Sequence, residues 1–285
     1  FVIFMLREFY KDIISQLSNS GIDSAEIDAR FILEERCGVT WSDILSDNSK
    51  DVLSEQRELI KQDIKQRISG KPLSRIYGER EFWGLPFEIS EDTLDPRPDT
   101  ETIIDLALGR FDKSASIDVL DLGTGSGCIL ISLLSEFKNA RGFGVDVSQG
   151  AVDMAKKNSI KNNVQSRIGF INGSWFDAVD GKFDLIVSNP PYIRSDVIPD
   201  LSDEVKNHDP ILALDGGQDG LAPYEIIFSQ IKNFLKPRGI GLFEIGYDQK
   251  DDVMRLAEKY GFAQRCVHLD MAGNPRVVEI SCGDK

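Results

Sequence analysis

Four consecutive residues, Asn189-Pro190-Pro191-Tyr192, offer groups that could hold a planar NH2 group. The Asn189 side chain and the Pro190 backbone each present a carbonyl oxygen, and Tyr192 adds an aromatic face. The prolines restrict the local backbone, so the shape of this segment is set before any ligand binds. We predict an amide socket in which Asn189, Pro190 and Tyr192 are catalytic and all four residues, including Pro191, contact the substrate. The alternative is a stiff turn without a chemical role.

A buried strand is expected to carry this socket. Residues 183–187 are apolar except for Asp184, which is typical of a strand in the core of a sheet. Strand-like and helix-like runs alternate around it, which predicts an α/β fold with a parallel sheet covered on both faces. The predicted strands are 117–121, 142–146, 167–171, 183–188, 239–245, 264–269 and 276–281, and the predicted helices are 127–137, 149–160, 223–235 and 249–260. Because no helix separates the last two strands, we expect the final strand to run antiparallel.

A glycine-rich segment, Gly123-Thr124-Gly125-Ser126-Gly127, follows the first predicted strand of this sheet and precedes a predicted helix. Open α/β sheets bind nucleotide-like ligands at such a position. A dinucleotide fingerprint would place its third glycine at position 128, where this chain has Cys128. The spacing therefore favours a nucleoside cofactor without a pyrophosphate. S-adenosylmethionine is one, and its carboxylate suits a helix N-terminus.

Two further residues extend the predicted cofactor site. Asp146 ends the second strand, about twenty residues past the glycine segment, where a carboxylate can accept hydrogen bonds from both ribose hydroxyls. Trp175 follows the third strand and is a candidate for contact with the adenine, although a core aromatic fits the same spacing. The glycine segment, Asp146 and the Asn189 socket, in this order, indicate a nucleoside-dependent site more strongly than any one of them alone.

The first part of the chain has a different pattern, with apolar residues at helical spacing over residues 6–70. We predict four short helices there. Breaks are expected at 18–21, at Gly38 and at 46–50, and Ser54 is expected to begin the last helix.

A β-hairpin is predicted next, from strand-like pieces at 76–82 and 87–89 that flank a turn-forming segment at 83–86. A helix from about Thr100 to Phe111 follows a proline-rich stretch. The predicted regions are a helical domain over 1–72, a hairpin linker over 73–94 and the sheet-containing domain over 95–285.

Composition narrows the possible partners and compartments. With 41% hydrophobic and 28% charged residues, the 285-residue chain has enough apolar material for a folded core. A net charge of −14 opposes nonspecific binding of a phosphate backbone, so we expect no direct nucleic-acid partner. Four scattered cysteines and two histidines predict reduced thiols, a cytoplasmic location and no dedicated metal site. No apolar run is long enough to span a membrane, and we expect a monomer.

These motifs together resemble class I S-adenosylmethionine-dependent methyltransferases, and more narrowly the HemK/PrmC family of protein-(glutamine N5) methyltransferases, which modify peptide-chain release factors. The resemblance spans nearly the whole chain and includes Pro96-Arg97-Pro98-Asp99-Thr100-Glu101 and Phe243-Glu244-Ile245-Gly246. It implies a Rossmann-like seven-stranded domain with a small all-helical N-terminal domain joined by a β-hairpin. It also implies S-adenosylmethionine as cofactor, contacted by Gly123 to Gly127, Asp146, Trp175 and Asn189, and a target glutamine received by Asn189 to Tyr192.

Two positions depart from the family pattern, and one tripeptide matches the sequence that the family methylates. Ser174 stands where the family commonly has an Asp before the Trp, and Asp209 stands where a Glu is usual before Pro210. The loop Gly216-Gly217-Gln218 spells the tripeptide that the family methylates in its substrates, which we interpret as a coincidence. Roles for Arg97, Asp209 and Glu244 do not follow from the sequence.

The resemblance implies direct displacement, in which the substrate amide nitrogen attacks the sulfonium methyl group without a metal or a covalent enzyme intermediate. Two alternatives remain open from the residues. An exocyclic amino group of a flipped DNA or RNA base, stacked on Tyr192, would fit the same socket. The second alternative is a noncatalytic binding module that retains the cofactor only for structure.

Overall fold

The computed structural model describes residues 6–46 and 52–283, and the chain divides into two compact units, Phe1–Tyr77 and Gly78–Lys285. We call them the helical unit and the sheet unit. The helical unit contains α1 (Leu6–Asn19), α2 (Ala25–Cys37), α3 (Trp41–Ser46), α4 (Ser54–Ile68) and α5 (Leu73–Tyr77). The predicted break at 46–50 falls largely on residues outside the described ranges.

The helical unit has its own apolar core, and ion pairs between its described residues join α2 to α4. Buried side chains from α1, α2 and α4 pack together in one cluster. Arg36 on α2 donates two hydrogen bonds to Asp63 on α4, at 2.6 and 2.8 Å. Arg67 on α4 donates to Asp28 on α2 at 2.6 Å. Because both pairs join α2 to α4, they fix the relative position of these two helices as well as satisfying buried carboxylates.

The prediction of a strand beginning at residue 76 is wrong, because residues 73–77 form the short helix α5. The N–H groups of Arg75 and Ile76 donate to the Pro72 carbonyl, which gives one helical turn. Leu73, Ile76 and Tyr77 pack against the core of the helical unit, and their i, i+3, i+4 spacing is helical. Such a short apolar run is ambiguous between helix and strand when it is read from sequence alone.

The sheet unit contains the remaining elements. They are β1 (Glu79–Phe82), β2 (Leu85–Glu88), α6 (Glu101–Arg110), β3 (Asp118–Leu122), α7 (Cys128–Glu136), β4 (Arg141–Asp146), α8 (Gln149–Lys161), β5 (Ile168–Asn172), β6 (Phe183–Ser188), α9 (Asp203–His208), α10 (Ala222–Gln230), β7 (Leu235–Glu244), α11 (Lys250–Lys259), β8 (Gln264–Leu269) and β9 (Pro275–Ser281). Short 3-10 turns lie at Pro98–Thr100, Ile198–Asp200, Ile211–Ala213 and Ile231–Asn233.

Seven strands form one sheet in the order β5-β4-β3-β6-β7-β9-β8. Strands β3 to β7 are parallel, and β9 pairs antiparallel with both β7 and β8, which confirms the predicted antiparallel final strand. Two apolar clusters contain side chains from the sheet and its covering helices. The chain order reverses at β3, whose neighbours are β4 and β6. Ligands bind at such a switch point in open α/β sheets.

The hairpin β1–β2 is tied to the rest of the sheet unit through a buried asparagine. Trp83 and Gly84 connect its strands with φ angles of 54° and 66°, the positive values that a type I′ turn requires. The Asn158 side chain on α8 accepts from the Glu88 N–H at 2.8 Å and donates to the Glu88 carbonyl at 2.9 Å. It also donates to the Ser126 carbonyl at 2.9 Å, so it joins the hairpin to the glycine segment.

Other elements of the sheet unit also differ from prediction. The helix predicted over 223–235 ends at Gln230 as α10, because a 3-10 turn at Ile231–Asn233 follows it. Strand β7 begins at Leu235, four residues before the predicted start, because Leu235 pairs with Phe183 ahead of a β-bulge. Helix α9 was not predicted, although Ser202 precedes it and acidic residues occupy its first turn. In the described ranges, 6–46 and 52–283, no helix is both long enough and apolar enough to cross a membrane.

Candidate active site

A cleft of about 730 Å³ opens beside the segments that follow β3, β4, β5 and β6. Its size lies within the usual range for small-molecule sites. The predicted residues that line it are Gly123, Thr124, Gly125, Ser126, Asp146, Trp175, Asn189 and Pro191. Three others, Gly127, Pro190 and Tyr192, are not among the lining residues. The fold thus brings most of the predicted cofactor residues together with one of the two predicted amide acceptors.

The glycine segment forms a tight turn at the end of β3. The N–H groups of Gly123 and Thr124 both donate to the Val145 carbonyl, at 2.8 and 3.0 Å. Gly123 and Gly125 have φ angles of 72° and 55°, in the left-handed region that favours glycine. The turn therefore places backbone without side chains against the cleft, where a ligand can approach closely.

Gly127 has a packing role in this turn. Its N–H donates to the Thr124 carbonyl at 2.8 Å. A Cβ at this position would lie 2.9 Å from Ile131 Cδ1 on α7 and 3.2 Å from Ala155 Cβ on α8. Its φ of 81° also favours glycine. Close packing of α7 against α8 thus accounts for this glycine without a direct ligand contact.

Asp146 closes β4 with its carboxylate at the cleft. Its Oδ2 accepts from the Gly125 N–H and its Oδ1 from the Ser148 N–H, both at 2.9 Å. Burial raises the pKa of this carboxyl, and the backbone N–H groups oppose that rise. Each carboxylate oxygen can accept a second hydrogen bond. Asp146 therefore keeps acceptor capacity for hydroxyl groups of a ligand.

Asp121 lies behind the glycine segment and is fully buried. The Thr124 hydroxyl donates to its Oδ2 at 2.7 Å. Burial raises the pKa of Asp121 to about 7, and the nearby charge of Asp146 adds to that rise. The buried Asp121 carboxyl thus orients the Thr124 side chain in the turn.

The Asn189 side chain is oriented by a residue that the sequence did not single out. Its Nδ2 donates to the Thr100 hydroxyl oxygen at 3.2 Å, across 89 residues of sequence. Thr100 itself is buried and also lines the cleft. This bond uses a donor of the Asn189 amide and leaves its Oδ1 as the acceptor for a ligand.

Pro190 and Tyr192 lie away from the cleft surface. Pro190 is buried, and Tyr192 is half-buried and packs against the apolar cluster that includes Phe243. The Tyr192 hydroxyl donates to Glu244 Oε1 at 3.4 Å. Burial, followed by the Glu244 charge, raises the pKa of Tyr192 well above its usual value. The ring is thus a neutral group held by packing, and its predicted contact with substrate stays a prediction.

Glu244, at the end of β7, is a buried carboxyl beneath the socket. It is 1% exposed, and its Oε2 has no hydrogen-bond partner among the described residues. Burial raises its pKa to about 7, while hydrogen bonds from Thr100 and Tyr192 and the charge of Arg276 oppose the rise. Glu244 therefore interacts with Tyr192, which belongs to the socket, and with Thr100, which is hydrogen-bonded to Asn189. We interpret it as a positioning residue.

Arg276 is a buried cation whose charge acts on Glu244. It forms ion pairs with Asp270 and Asp99, each at 3.1 Å. Asp99 lies in the 3-10 turn that carries Thr100. The ion pair with Asp99 thus connects β9 to the turn that orients Asn189.

Gln249 supports the socket from the side of α11. Its Nε2 donates to the backbone carbonyls of Tyr192 at 2.9 Å and Gly220 at 3.2 Å. Its Oε1 accepts from the Gly246 N–H at 2.9 Å. With 8% of the residue exposed, this amide joins three loops around the socket. The sequence did not indicate Gln249, because its contacts with Tyr192 and Gly220 are distant in sequence.

The glycines of the loop at 216–220 pack directly against the socket. A Cβ on Gly216 would lie 2.8 Å from the Pro191 carbonyl oxygen, and one on Gly220 would lie 2.4 Å from the Tyr192 carbonyl oxygen. Gly217 has a φ of 90°. Packing and backbone conformation therefore explain the two glycines of Gly216-Gly217-Gln218.

An ion pair fixes the opposite wall of the cleft. Arg97 Nη2 donates to Asp209 Oδ2 at 2.6 Å, and the Asp95 N–H donates to Asp209 Oδ1 at 3.2 Å. Arg97 and Pro210 both line the cleft. Asp209 thus joins the proline-rich stretch before α6 to the loop before α10, which is a role that the sequence left unassigned.

A family model matches each of the two units of the chain. Residues 8–78 match the PrmC N-terminal domain, and residues 97–204 match the methyltransferase small domain. The first match covers most of the helical unit, and the second covers part of the sheet unit, from the proline-rich stretch before α6 to the start of α9.

Solved structures of low sequence identity share the fold. The hMettl16 catalytic domain, solved with an RNA hairpin, superposes with a TM-score of 0.60 at 16% identity, covering 78% of this chain and 83% of that one. A methyltransferase from Pyrococcus furiosus gives a TM-score of 0.53 at 19% identity, covering 81% of this chain and all of that one. These likenesses confirm the Rossmann-like methyltransferase fold.

Two curated relatives are similar to this chain over almost their whole length. The chain is 41% identical to the release factor glutamine methyltransferase of Agrobacterium fabrum, with 92% of each chain covered. It is 39% identical to the protein of the same name from Caulobacter vibrioides, with 92% of this chain and 91% of that protein covered. Identity of this extent places the chain in the family of release factor glutamine methyltransferases.

Proposed function

We propose that this enzyme transfers a methyl group from S-adenosylmethionine to the side-chain amide nitrogen of a glutamine in a release factor, within a Gly-Gly-Gln motif. The observation that carries the proposal is the Asn189 amide, which Thr100 orients at 3.2 Å beside the glycine segment in one cleft. The named relatives act on release factors, and the residues of the cleft supply groups suited to both reactants.

The cleft residues fit the cofactor. The segment Gly123 to Ser126 would lie against its amino-acid part, since backbone without large side chains allows close approach. Asp146 would accept hydrogen bonds from the ribose hydroxyls with the acceptor positions left over from Gly125 and Ser148. Trp175, which also lines the cleft, is assigned to the adenine. S-adenosylmethionine, when bound, supplies an electrophilic methyl group on a sulfonium.

The socket residues would orient the substrate amide. Asn189 lines the cleft, and its Oδ1 accepts one N–H of the glutamine side chain. We assign the other N–H to the Pro190 carbonyl oxygen from the sequence motif alone, since Pro190 is not among the residues that line the cleft. An amide nitrogen is a weak nucleophile because its lone pair is delocalised. Two fixed acceptors restrict its orientation and stabilise the positive charge that develops on nitrogen. The proton leaves after transfer, when the nitrogen has become acidic, so the proposal assigns no general base.

We propose that the helical unit recognises the release factor. A short glutamine-containing loop offers little surface, so a remote contact would provide the discrimination between proteins. We further propose that the enzyme acts as a monomer in the cytoplasm and binds no nucleic acid directly. The net charge of −14 supports the last point.

The test is transfer of labelled methyl groups from S-adenosylmethionine to three purified acceptors: release factor, duplex DNA and ribosomal RNA. Label is expected on the release factor alone. Label on DNA or RNA with none on release factor would replace this proposal with the base-methylating alternative. An Asn189→Ala variant is assayed in parallel and should methylate release factor poorly. The Asn139→Ala variant, changed at an exposed asparagine, serves as its control.

A further inference from the structure

Three side chains of metal-binding type meet on one face of the β8–β9 hairpin. Cys266 lies directly opposite Glu279 in the antiparallel register, and His268 lies two residues along β8 on the same face. Cys266 Sγ is 3.2 Å from His268 Nε2 and 3.7 Å from Glu279 Oε2, and the Nε2–Oε2 distance is 2.7 Å. These residues are not among those that line the cleft.

The size of this triangle suits a small cation. A triangle with these three sides has its centre about 1.9 Å from every corner, slightly less than the zinc–ligand distances of about 2.0–2.3 Å. An ion just outside the plane of the three donors would therefore reach all of them with only small side-chain movements. The fourth tetrahedral position would be open to water. We propose that Cys266, His268 and Glu279 form a binding site for a zinc-like divalent cation.

Hydrogen bonds within the cluster account for two of its three contacts. The Cys266 thiol and a protonated His268 Nε2 can both donate to Glu279 Oε2, which leaves the contact of 3.2 Å between Cys266 Sγ and His268 Nε2 without a hydrogen. A cation accepts lone pairs from all three atoms at once. Thiolate and imidazole ligands with a carboxylate are typical of zinc.

Arg110 contributes to the surroundings of the site. Its Nη2 donates to Glu279 Oε2 at 2.8 Å, as an outer hydrogen-bond partner of a ligand carboxylate commonly does. Its positive charge opposes a cation, so we expect weaker binding than at a closed site with four protein ligands. The cluster is accessible, because Cys266 is exposed and the side chains of His268 and Glu279 are 23% and 12% exposed.

Binding would exchange a proton for the metal. The Cys266 sulfur forms a bond to the cation as its S–H proton passes to solvent, with no change of oxidation state. The cation would then link β8 to β9 at the edge of the sheet. Because it would bind the folded hairpin, it should raise the melting temperature of the protein.

The chain offers matched controls for a test. Cys282 is a second exposed cysteine and His208 is the only other histidine. The untagged protein, its Cys266→Ser and His268→Gln variants, and the Cys282→Ser and His208→Gln controls are titrated with Co²⁺ in a reductant that is not a thiol. The readouts are thiolate-to-cobalt absorption, displacement by Zn²⁺, and melting temperature with and without Zn²⁺.

The proposal expects one Co²⁺ per chain in the unchanged protein and in both controls. Cys266→Ser should lose the thiolate band, and His268→Gln should bind at least about tenfold more weakly. Zn²⁺ should stabilise only the proteins that retain the site. Absence of a stoichiometric site in the unchanged protein, or a band and affinity that survive both Cys266→Ser and His268→Gln, would overturn the proposal. Melting curves without metal establish that each variant folds.

Discussion

Replacing Glu244 with Gln should change how stability depends on pH. Burial raises the pKa of the Glu244 carboxyl from 4.5 to about 7, so the folded protein binds its proton more tightly than the unfolded chain does. A group of this kind stabilises the fold most below pH 4.5, and that contribution is lost as pH rises through about 7. Glutamine has the same shape and no charge, so it removes this dependence.

The expected size follows from the shift in pKa. A rise from 4.5 to about 7 corresponds to about 3 kcal/mol between the protonated and ionised forms. Most of that change falls between about pH 5 and pH 8. The free energy of unfolding of the unchanged protein should therefore fall by about 2 kcal/mol relative to Glu244→Gln over this range.

Urea unfolding at a series of pH values measures this difference. Asp121 also has a pKa of about 7, but both proteins retain it, so its effect cancels in the comparison. A constant difference in unfolding free energy between the two proteins from pH 5 to pH 8 would refute a raised pKa at Glu244. It would also remove the basis for treating this carboxyl as a buried, strongly perturbed group beneath the socket.

Three other predictions concern the cleft and the helical unit. Asp146→Ala should weaken S-adenosylmethionine binding at least about tenfold in calorimetry, because each charge-assisted hydrogen bond contributes about 1.5–3 kcal/mol; an unchanged dissociation constant would exclude Asp146 from the site. Gln249→Leu removes the Nε2 donor to the Tyr192 and Gly220 carbonyls, so kcat should fall more than cofactor affinity does. Equal losses in kcat and in cofactor affinity would argue for general unfolding instead. A chain beginning at Gly78 should bind S-adenosylmethionine but methylate intact release factor poorly, while both proteins act similarly on a Gly-Gly-Gln peptide. Equal activity on intact release factor would exclude a recognition role for the helical unit.

Each part of the site that the sequence predicted is a single residue or a short run of neighbouring residues. The glycine segment, Asp146 and the end of β6 each follow a predicted strand, and parallel strands bring their carboxyl ends to one edge of the sheet. The order of those strands explains why separate motifs meet in one cleft. Seven strands and an antiparallel final strand followed from apolar runs and from the absence of an intervening helix.

The supporting residues were not predictable, because their contacts are long-range. Thr100 bonds to Asn189 across 89 residues, and Gln249 bonds to Tyr192 across 57. A threonine before a helix or a glutamine in a turn is unremarkable in isolation. Asp209 likewise acquires a role only when folding places it beside Arg97. Such roles depend on tertiary packing, which no local pattern encodes.

The predicted aromatic face of Tyr192 shows a different limit. Sequence proximity to Asn189 suggested a shared orientation, but Tyr192 packs against an apolar cluster and its hydroxyl meets Glu244. Side chains a few residues apart after a strand can point in different directions. Chemical type alone could not determine which of the four socket residues face the cleft.

The central claim is that Asn189 presents an amide acceptor to a release-factor glutamine. Its most direct test is mass spectrometry of release factor after incubation with S-adenosylmethionine and either the unchanged enzyme or Asn189→Ala. The account predicts one methyl group on the glutamine of Gly-Gly-Gln with the unchanged enzyme, and a loss of turnover with Asn189→Ala that exceeds its loss of cofactor affinity. Methylation at another residue, or near-normal turnover by Asn189→Ala, would contradict it.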